Sequence, residues 1–408
     1  MVNNTLAIIL AGGTGTRLSP LTEERAKPAV PFGGKYRIID FTLTNCLHSG
    51  LRKVLVLTQY KSHSLQKHLR DGWSVFNPEL GEYITPVPPQ MRTGDKWYSG
   101  TADAIYQNLY LVERASADKV IILSGDHIYR MDYAEMLRFH DENQSDLTVA
   151  CMKVAIGDAD RFGIMSINPD NVITDFTEKP SEPTPLPNDE QSALASMGVY
   201  VFNRELLIDV LRQDAADDSS GHDFGGDILP KILEKNRVKA YEFGGEGGRV
   251  TQDRYWRDVG TIDSYYQANM DLLEAVPPMD LYQSDWNIRT YESQNPPART
   301  VPGLSGYEGL FLNSIVAGGV VIVGAGVGHS ILFPGVKINE SAFVSDSILF
   351  DGVEVGAQAQ LNHCIVDKGV YIPPGTVIGQ DPKEDARRFT VSEDGIVVVP
   401  KNYAFKED

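Results

Sequence analysis

The chain is poor in cysteine. Its 408 residues hold three, Cys46, Cys151 and Cys364. Their number is odd and no two have CxxC spacing, so a disulfide framework is excluded and they read as reduced, mostly buried thiols of a cytoplasmic protein. Long apolar runs are missing as well. No stretch is long enough to span a bilayer, and no signal peptide is recognised ahead of the run Leu6–Leu10. Positive charge is scarce: 37 Lys and Arg face 55 Asp and Glu, a net charge of −18. That excludes general binding to nucleic acid or to an anionic membrane. The length suggests two domains, and a 42% hydrophobic composition is enough for a sizeable core.

Against this acidic background one stretch stands out. Leu6-Ala7-Ile8-Ile9-Leu10 has the length and composition of a buried parallel strand. It runs into Ala11-Gly12-Gly13-Thr14-Gly15-Thr16-Arg17-Leu18, where three glycines let the backbone approach a ligand closely. Clustered N–H groups of such a turn form an anion nest. Arg17 and Lys27 add positive charge within reach, so a phosphate ligand is expected. An acidic protein that takes phosphates needs such a local basic cluster, and a metal ion with it. Leu18 stands where the third glycine of a dinucleotide fingerprint belongs, and Arg17-Leu18 where a P-loop needs Lys-Ser/Thr. The run Gly-Gly-x-Gly-x-Arg-Leu, then Pro20-Leu21 and Lys27-Pro28, instead matches the signature of sugar nucleotidyltransferases.

Residues 5 to about 275 alternate strands and helices. Strands are expected at Leu6–Leu10, Val54–Leu57 and Lys119–Leu123, and helices at Ile38–Ser49, Lys61–Leu69 and Thr101–Glu113, the last starting from a Thr cap. Such alternation predicts right-handed crossovers and a mostly parallel, Rossmann-like mixed sheet, with ligands beyond the carboxyl ends of its strands. From Val154 strands dominate: Gly163–Met165, Val172–Phe176 and Val199–Phe202. Residues 276–308 read as a linker hugging the surface. From about 314 the texture changes to short β-branched pairs between Gly, Asn and Asp. Apolar residues recur six apart, at Ile315, Val321, Val327, at Val336, Ala342, Ile348, at Val353, Ala359, Ile365, and at Ile372, Ile378. This period predicts a left-handed parallel β-helix of about four coils over 309–408, after a nucleotidyltransferase domain over 1–275.

Chemistry-bearing residues cluster near strand ends. Asp126 closes the strand before His127-Ile128-Tyr129, and Asp258 lies in Trp256-Arg257-Asp258-Val259-Gly260-Thr261. Two Asp residues beside phosphates are what metal-assisted nucleotidyl transfer needs, with Mg²⁺ taking carboxylate and phosphate oxygens. Glu178-Lys179-Pro180 offers a carboxylate for sugar hydroxyls and a point charge for a sugar phosphate, or else a plain surface ion pair. Trp97-Tyr98-Ser99-Gly100 suits a stacked base or sugar, or an ordinary capped helix start. Ser196-Met197-Gly198 carries the same ambiguity. The histidines have no metal spacing and receive no role.

Assembled, these motifs resemble the bacterial ADP-glucose pyrophosphorylases, the glucose-1-phosphate adenylyltransferases, over roughly residues 5–390. Added to the loop at 10–18 are Arg-Ala-Lys-Pro-Ala-Val at 25–30, Phe-Gly-Gly-Lys at 32–35, Gly-Thr-Ala-Asp-Ala at 100–104, Gly-Asp-His-Ile-Tyr at 125–129 and Trp-Arg-Asp-Val-Gly-Thr at 256–261. The resemblance implies ATP and α-glucose 1-phosphate as substrates and Mg²⁺ as cofactor, with ADP-glucose for α-glucan synthesis and pyrophosphate as products. It implies that Leu10, Ala11, Gly12, Gly13, Thr14 and Gly15 wrap the nucleotide, with Gln90, Gly100 and Asp103 at the base. Arg17 and Lys27 would stabilise the reacting phosphates, and Asp126 and Asp258 hold the metal. Tyr98, Gly163, Glu178, Lys179 and Ser196 would bind the sugar phosphate. Thymidine- and uridine-using relatives look different at 100–104.

The resemblance further implies a homotetramer regulated by a small metabolite. Arg25, Arg37, Arg114, Arg387 and Arg388 match its basic regulatory positions, and Gln59 and Trp97 its relay loops. Glu24 replaces a basic residue found in members activated by sugar bisphosphates, and Pro31 stands where some have His. Fructose 1,6-bisphosphate is therefore expected to activate poorly. A rival reading as a β-helix acyltransferase needs more coils and a catalytic His, and His329 and His363 read as corner residues.

Overall fold

The computed structural model describes residues 2–90, 97–187, 189–245, 247–250 and 253–405. A nine-stranded mixed sheet organises the first part. Strand Thr5–Ala11 lies between Lys53–Thr58 and Lys119–Ser124, parallel to both, and Tyr83–Val87 extends the parallel half. The remaining strands run off Ser192–Asn203, which is antiparallel to Lys119–Ser124, Leu147–Ala155 and Gly163–Ile167. Helices cover both faces, so the central strands are buried throughout: Leu6, Ala7 and Ile9 have no exposed surface. That is why Leu6–Leu10 is continuously apolar rather than alternating.

Register places the site. Leu10 pairs with Leu57 on one side and with Ser124 on the other. The glycine loop, Gln59 and Asp126 therefore leave the sheet side by side at its carboxyl edge. A short strand, Trp256–Asp258, pairs antiparallel with His127–Tyr129, with Asp258 opposite His127. Two carboxylates far apart in sequence become neighbours in this way.

Two local expectations change. The helix expected over Thr101–Glu113 is two helices, Thr101–Tyr106 and Leu109–Arg114. The Asn108 amide donates to the Ala104 carbonyl (2.9 Å), which a continuing helix would give to the Asn108 N–H, and that N–H turns to Ile105 instead. Thr101 does not cap its own helix, which starts from Gly100; its hydroxyl donates across to Asp223 at 2.9 Å. Likewise, Ser196-Met197-Gly198 does not precede a strand. It is a bulge inside Ser192–Asn203, where the register shifts between Ser196 and Tyr200 and Gly198 takes φ 68°.

The second part is a left-handed parallel β-helix with three faces. Two faces have five strands each, starting at Arg299–Val301 and Leu310–Leu312, so there are five coils where the six-residue period suggested about four. The first coil escaped notice because Arg299–Val301 and Leu310–Leu312 are largely exposed and carry no buried spacing signal. Ile322, Ile338, Val355 and Ile372 fill the interior from one face, and Val327, Val344, Leu361 and Ile378 from the next.

The third face is apolar on both sides. Leu332, Leu349 and Val366 point into the coil, while Ile331, Ile348 and Ile365 belong to one apolar cluster with Leu18, Val30, Phe32, Tyr265 and Tyr266 of the first part. Phe333 and Phe350 pack edge to face (5.2 Å between centroids) in the same cluster. Between the two parts, 276–298 follows the surface. Met279 and Trp286 are buried, and the Trp286 indole donates to Asn45 at 3.0 Å.

Candidate active site

The carboxyl edge of the parallel strands opens into a cleft of about 600 Å³. The predicted loop Leu10–Gly15 lines it, with Arg17, Lys27, Gln59, Tyr98, Gly100 and Asp126. Gly15 adopts φ 64°, a conformation costly for any residue with a Cβ, and opens the single 3₁₀ turn Thr16–Leu18. The Thr22 hydroxyl fixes the loop by donating to the Gly15 carbonyl at 2.8 Å. Arg17 is exposed at the rim.

Lys27 sits at the base. Its Nζ lies 2.9 Å from Asp126 Oδ2 and 3.0 Å from Asp258 Oδ1, and only 9% of its side chain is exposed. Burial alone would lower its pKa, but the two carboxylates outweigh burial and hold it above the usual lysine value. Burial likewise opposes the charge on Asp126, yet Lys27, His127 and the Ser124 hydroxyl keep its carboxyl well below the ordinary range. Asp126, His127 and Asp258 present donor atoms within 4.8 Å of one another. Two such carboxylates fit a hard divalent cation that shares its remaining positions with phosphates. His127 had no sequence signal of its own; strand pairing brings it here, its Nε2 3.6 Å from Asp126.

Of the expected sugar residues, Tyr98 lines this cleft, while Gly163, Glu178 and Lys179 form a corner outside its lining. Lys179 adopts φ 46° and returns its ammonium to Glu178 Oε1 at 2.5 Å. Gly163 is tied to this corner by space: a Cβ there would lie 2.3 Å from the Phe176 ring and 2.7 Å from Glu178 Oε2. Burial pushes the Tyr200 phenol up against an opposing hydrogen bond to Ser196, and Glu178 and Asp223 add to the shift. Tyr200 stacks on Phe224, 5.7 Å between centroids.

On the other wall, Tyr98 accepts from the Asn108 amide at 2.9 Å. Asp103 is turned inward on its own segment, accepting from the Ser99 N–H (2.8 Å) and the Gln107 amide (2.9 Å), so it braces the 99–101 turn. Gln90 is not part of the cleft wall; its amide donates to the Pro88 carbonyl. Trp97 stacks on Tyr60 at 5.2 Å and 9°.

Sequence reasoning missed Asp223. Its carboxylate takes the Thr101 hydroxyl and the N–H groups of Gly225 and Gly226, and it lines the cleft beside Thr101. An Asp among Asp217, Asp218, Ser219 and Ser220 reads as a solvated turn former, and only its position before Phe224-Gly225-Gly226 hinted at a cap.

Comparison with known proteins gives the family. The nucleotidyl transferase family matches residues 6–275, and the GlmU-like C-terminal hexapeptide family matches residues 296–399. A Vibrio parahaemolyticus protein named glucose-1-phosphate adenylyltransferase 2 is 65% identical over 99% of this chain and 100% of its own length. One of the same name from Vibrio cholerae is 61% identical over the whole of both chains. A glucose-1-phosphate adenylyltransferase from Methylococcus capsulatus is 48% identical over 98% of this chain and 94% of its own. The chain belongs to the glucose-1-phosphate adenylyltransferase family.

In this adenylyltransferase the expected regulatory residues separate into groups. Arg25 is buried and donates to Asp367 of the β-helix at 2.8 Å. Arg37 donates to the Ser64 carbonyl at 2.9 Å, and burial lowers its pKa against the pull of Asp40 and Asp351. Lys368 joins them, paired with Asp351 at 2.9 Å, its pKa likewise lowered by burial. The other three stand elsewhere. Arg114 lies over Tyr110, Arg387 pairs with Glu384, and Arg388 covers Phe389 and Phe405 beyond the last coil. Among the described residues, no helix is long and apolar enough to cross a membrane.

Proposed function

We propose that this cleft joins ATP to α-D-glucose 1-phosphate, the reaction of the family to which the chain belongs, with the residues in the following roles. The Leu10–Gly15 loop holds the nucleotide phosphates on its N–H groups. Tyr98, Gly163, Glu178, Lys179 and Ser196 hold the sugar phosphate, with Lys179 as its counter-charge. A phosphate oxygen of glucose 1-phosphate attacks the α-phosphorus in line. The new phosphorus–oxygen bond forms as the bond to the β-phosphate's bridging oxygen breaks, giving ADP-glucose and pyrophosphate. Arg17 and Lys27 take up the charge that develops on the α-phosphate and the leaving group. Asp126 and Asp258 would hold Mg²⁺, which when bound neutralises phosphate charge. No covalent enzyme intermediate is required; positioning and charge neutralisation carry the rate.

The observation that carries this reading is the meeting of Lys27, Asp126 and Asp258 beneath the glycine loop. Nucleotide choice rests on the 100–104 segment, with Gly100 and Thr101 in the wall and Asp103 bracing them. The product supplies glycogen or a related α-glucan in the cytoplasm. The working form is a homotetramer whose small-metabolite effector acts near Arg25 and Arg37, at the contact between the two parts. Neither nucleic acid nor a membrane is a partner. The test is pyrophosphate release from glucose 1-phosphate with each of ATP, UTP, GTP, CTP and dTTP, with and without Mg²⁺. Mg²⁺-dependent turnover mainly with ATP is expected. Turnover mainly with another nucleotide would refute the role given to 100–104, and no turnover despite ATP binding would refute the catalytic reading.

A further inference from the structure

Lys27 occupies an unusual position for a group meant to touch phosphates. Its ammonium is aimed not at the glycine loop but at two carboxylates, 99 and 231 positions away in sequence. It bridges them almost symmetrically, at 2.9 and 3.0 Å. These are the same two side chains whose oxygens, with His127, come close enough to close on one cation.

An ammonium and a divalent ion cannot share that place. Mg²⁺ draws carboxylate oxygens to about 2.0–2.1 Å and fixes their directions in an octahedron. A lysine nitrogen hydrogen-bonded to both oxygens fills the same volume and repels the incoming ion at short range. We propose that Lys27 is a resident counter-cation, holding Asp126 and Asp258 together until a divalent metal displaces it, so that metal loading depends on a nucleotide able to take over the freed ammonium. This rests on the metal-dependent nucleotidyl-transfer reading of the cleft.

The surroundings suit an exchange of side chains over a fixed backbone. Lys27 lies on the single 3₁₀ turn Lys27–Ala29, with Pro28 fixing one torsion. Two residues earlier, Arg25 is anchored to Asp367. The four-carbon lysine stem is free to swing while its Cα stays put. It opens onto the same cleft as the glycine loop, where incoming phosphates offer the ammonium new oxygens. Metal alone brings no such partner. It would strand a buried lysine, and a buried charge without a partner is costly. Metal with nucleotide satisfies every charge at once. Lys27 thus keeps the two carboxylates from repelling one another in the free protein and discourages metal from settling before substrate.

The experiment measures metal binding, not turnover. Mn²⁺ binding to the nucleotide-free, full-length protein is followed by electron paramagnetic resonance for wild type, K27M and R17Q. K27Q replaces K27M if K27M proves unfolded by its thermal transition. R17Q removes the same charge near the loop without vacating the carboxylates, so it measures the general electrostatic effect. Displacement predicts that K27M binds Mn²⁺ at least about tenfold tighter than wild type, while R17Q changes affinity by less than about threefold. It also predicts that α,β-methylene-ATP strengthens Mn²⁺ binding far more in wild type than in K27M. Equal shifts in K27M and R17Q, or no shift in K27M, would overturn the proposal. Undiminished Mn²⁺ binding in a D126N/K27M double variant would overturn the metal assignment itself, and the proposal with it.

Discussion

At the scale of single residues, Asp126 has the most to lose. It faces Lys27, Ser124 and His127 at the end of a buried strand. Asp126→Asn keeps the shape and removes the charge. We expect kcat for pyrophosphate release to fall about a hundredfold or more, with the protein still folded, as for removal of one preorganised charge from a reacting phosphate. The same charge has a signature in stability. Its pKa is held below the ordinary 3.8, so its contribution is complete above that value and is lost as pH falls through the depressed native one. The stability gap between wild type and D126N should stay flat from about pH 8 to pH 5 and shrink below about pH 4, as read by urea titrations. Arg17 and Lys27 were legible in the sequence from the long loop signature, and Asp126 and Asp258 as a pair of Asp residues near strand ends; the structure brings Lys27, Asp126 and Asp258 together. His127 and Asp223 were not legible, because what makes them site residues is a partner across a strand pair or a turn. Gln90 was placed only by resemblance, in a loop whose next six residues, 91–96, lie outside the described ones.

At the scale of elements, apolar spacing identified the strands well and their interruptions poorly. The break at Asn108 and the bulge at Ser196 each depend on one polar side chain or one glycine conformation, which a hydrophobic period does not carry. The strand beginning at Gly163 has a further constraint that spacing could not reveal, the contact with Phe176 and Glu178. Gly163→Ala must push that ring or that carboxylate aside. We expect a loss of about 1–3 kcal/mol in stability. If Glu178 is what moves, the KM for glucose 1-phosphate should rise while that for ATP holds, which steady-state kinetics would separate. The β-helix period was legible, but not that its third face is apolar on both sides. Ile348 and Ile365 share the six-residue spacing with inward residues, yet together with Ile331 they pack against the first part. Phe350→Ala removes a fully buried ring at this contact. It should cost about 3–5 kcal/mol and act on both parts together, so a single unfolding transition should move to lower denaturant without splitting.

At the scale of the whole molecule, the two parts share a core and a buried ion pair, Arg25 to Asp367. Arg37, Lys368 and Asp351 cluster around that pair, so the contact is both apolar and charged. Beside it, Glu24 stands 3.9 Å from Lys401. A carboxylate at this place opposes a ligand with two phosphates. Fructose 1,6-bisphosphate should therefore activate the enzyme weakly, by less than about threefold, while a singly charged effector meets less repulsion. Strong, saturable activation by the bisphosphate in the pyrophosphate assay would refute that expectation.

The shared core also bears on what a protease would leave behind. The exposed run 292–298, between the buried strap and the first coil, is where a glutamate-specific protease would cut, after Glu292. A nick there severs the chain but touches neither the cluster around Phe333 and Phe350 nor the Arg25–Asp367 pair. The two fragments should travel as one species through a sizing column and part only in denaturant. Each, expressed alone, would expose an apolar face that the other normally covers, and should be soluble only when made alongside its complement.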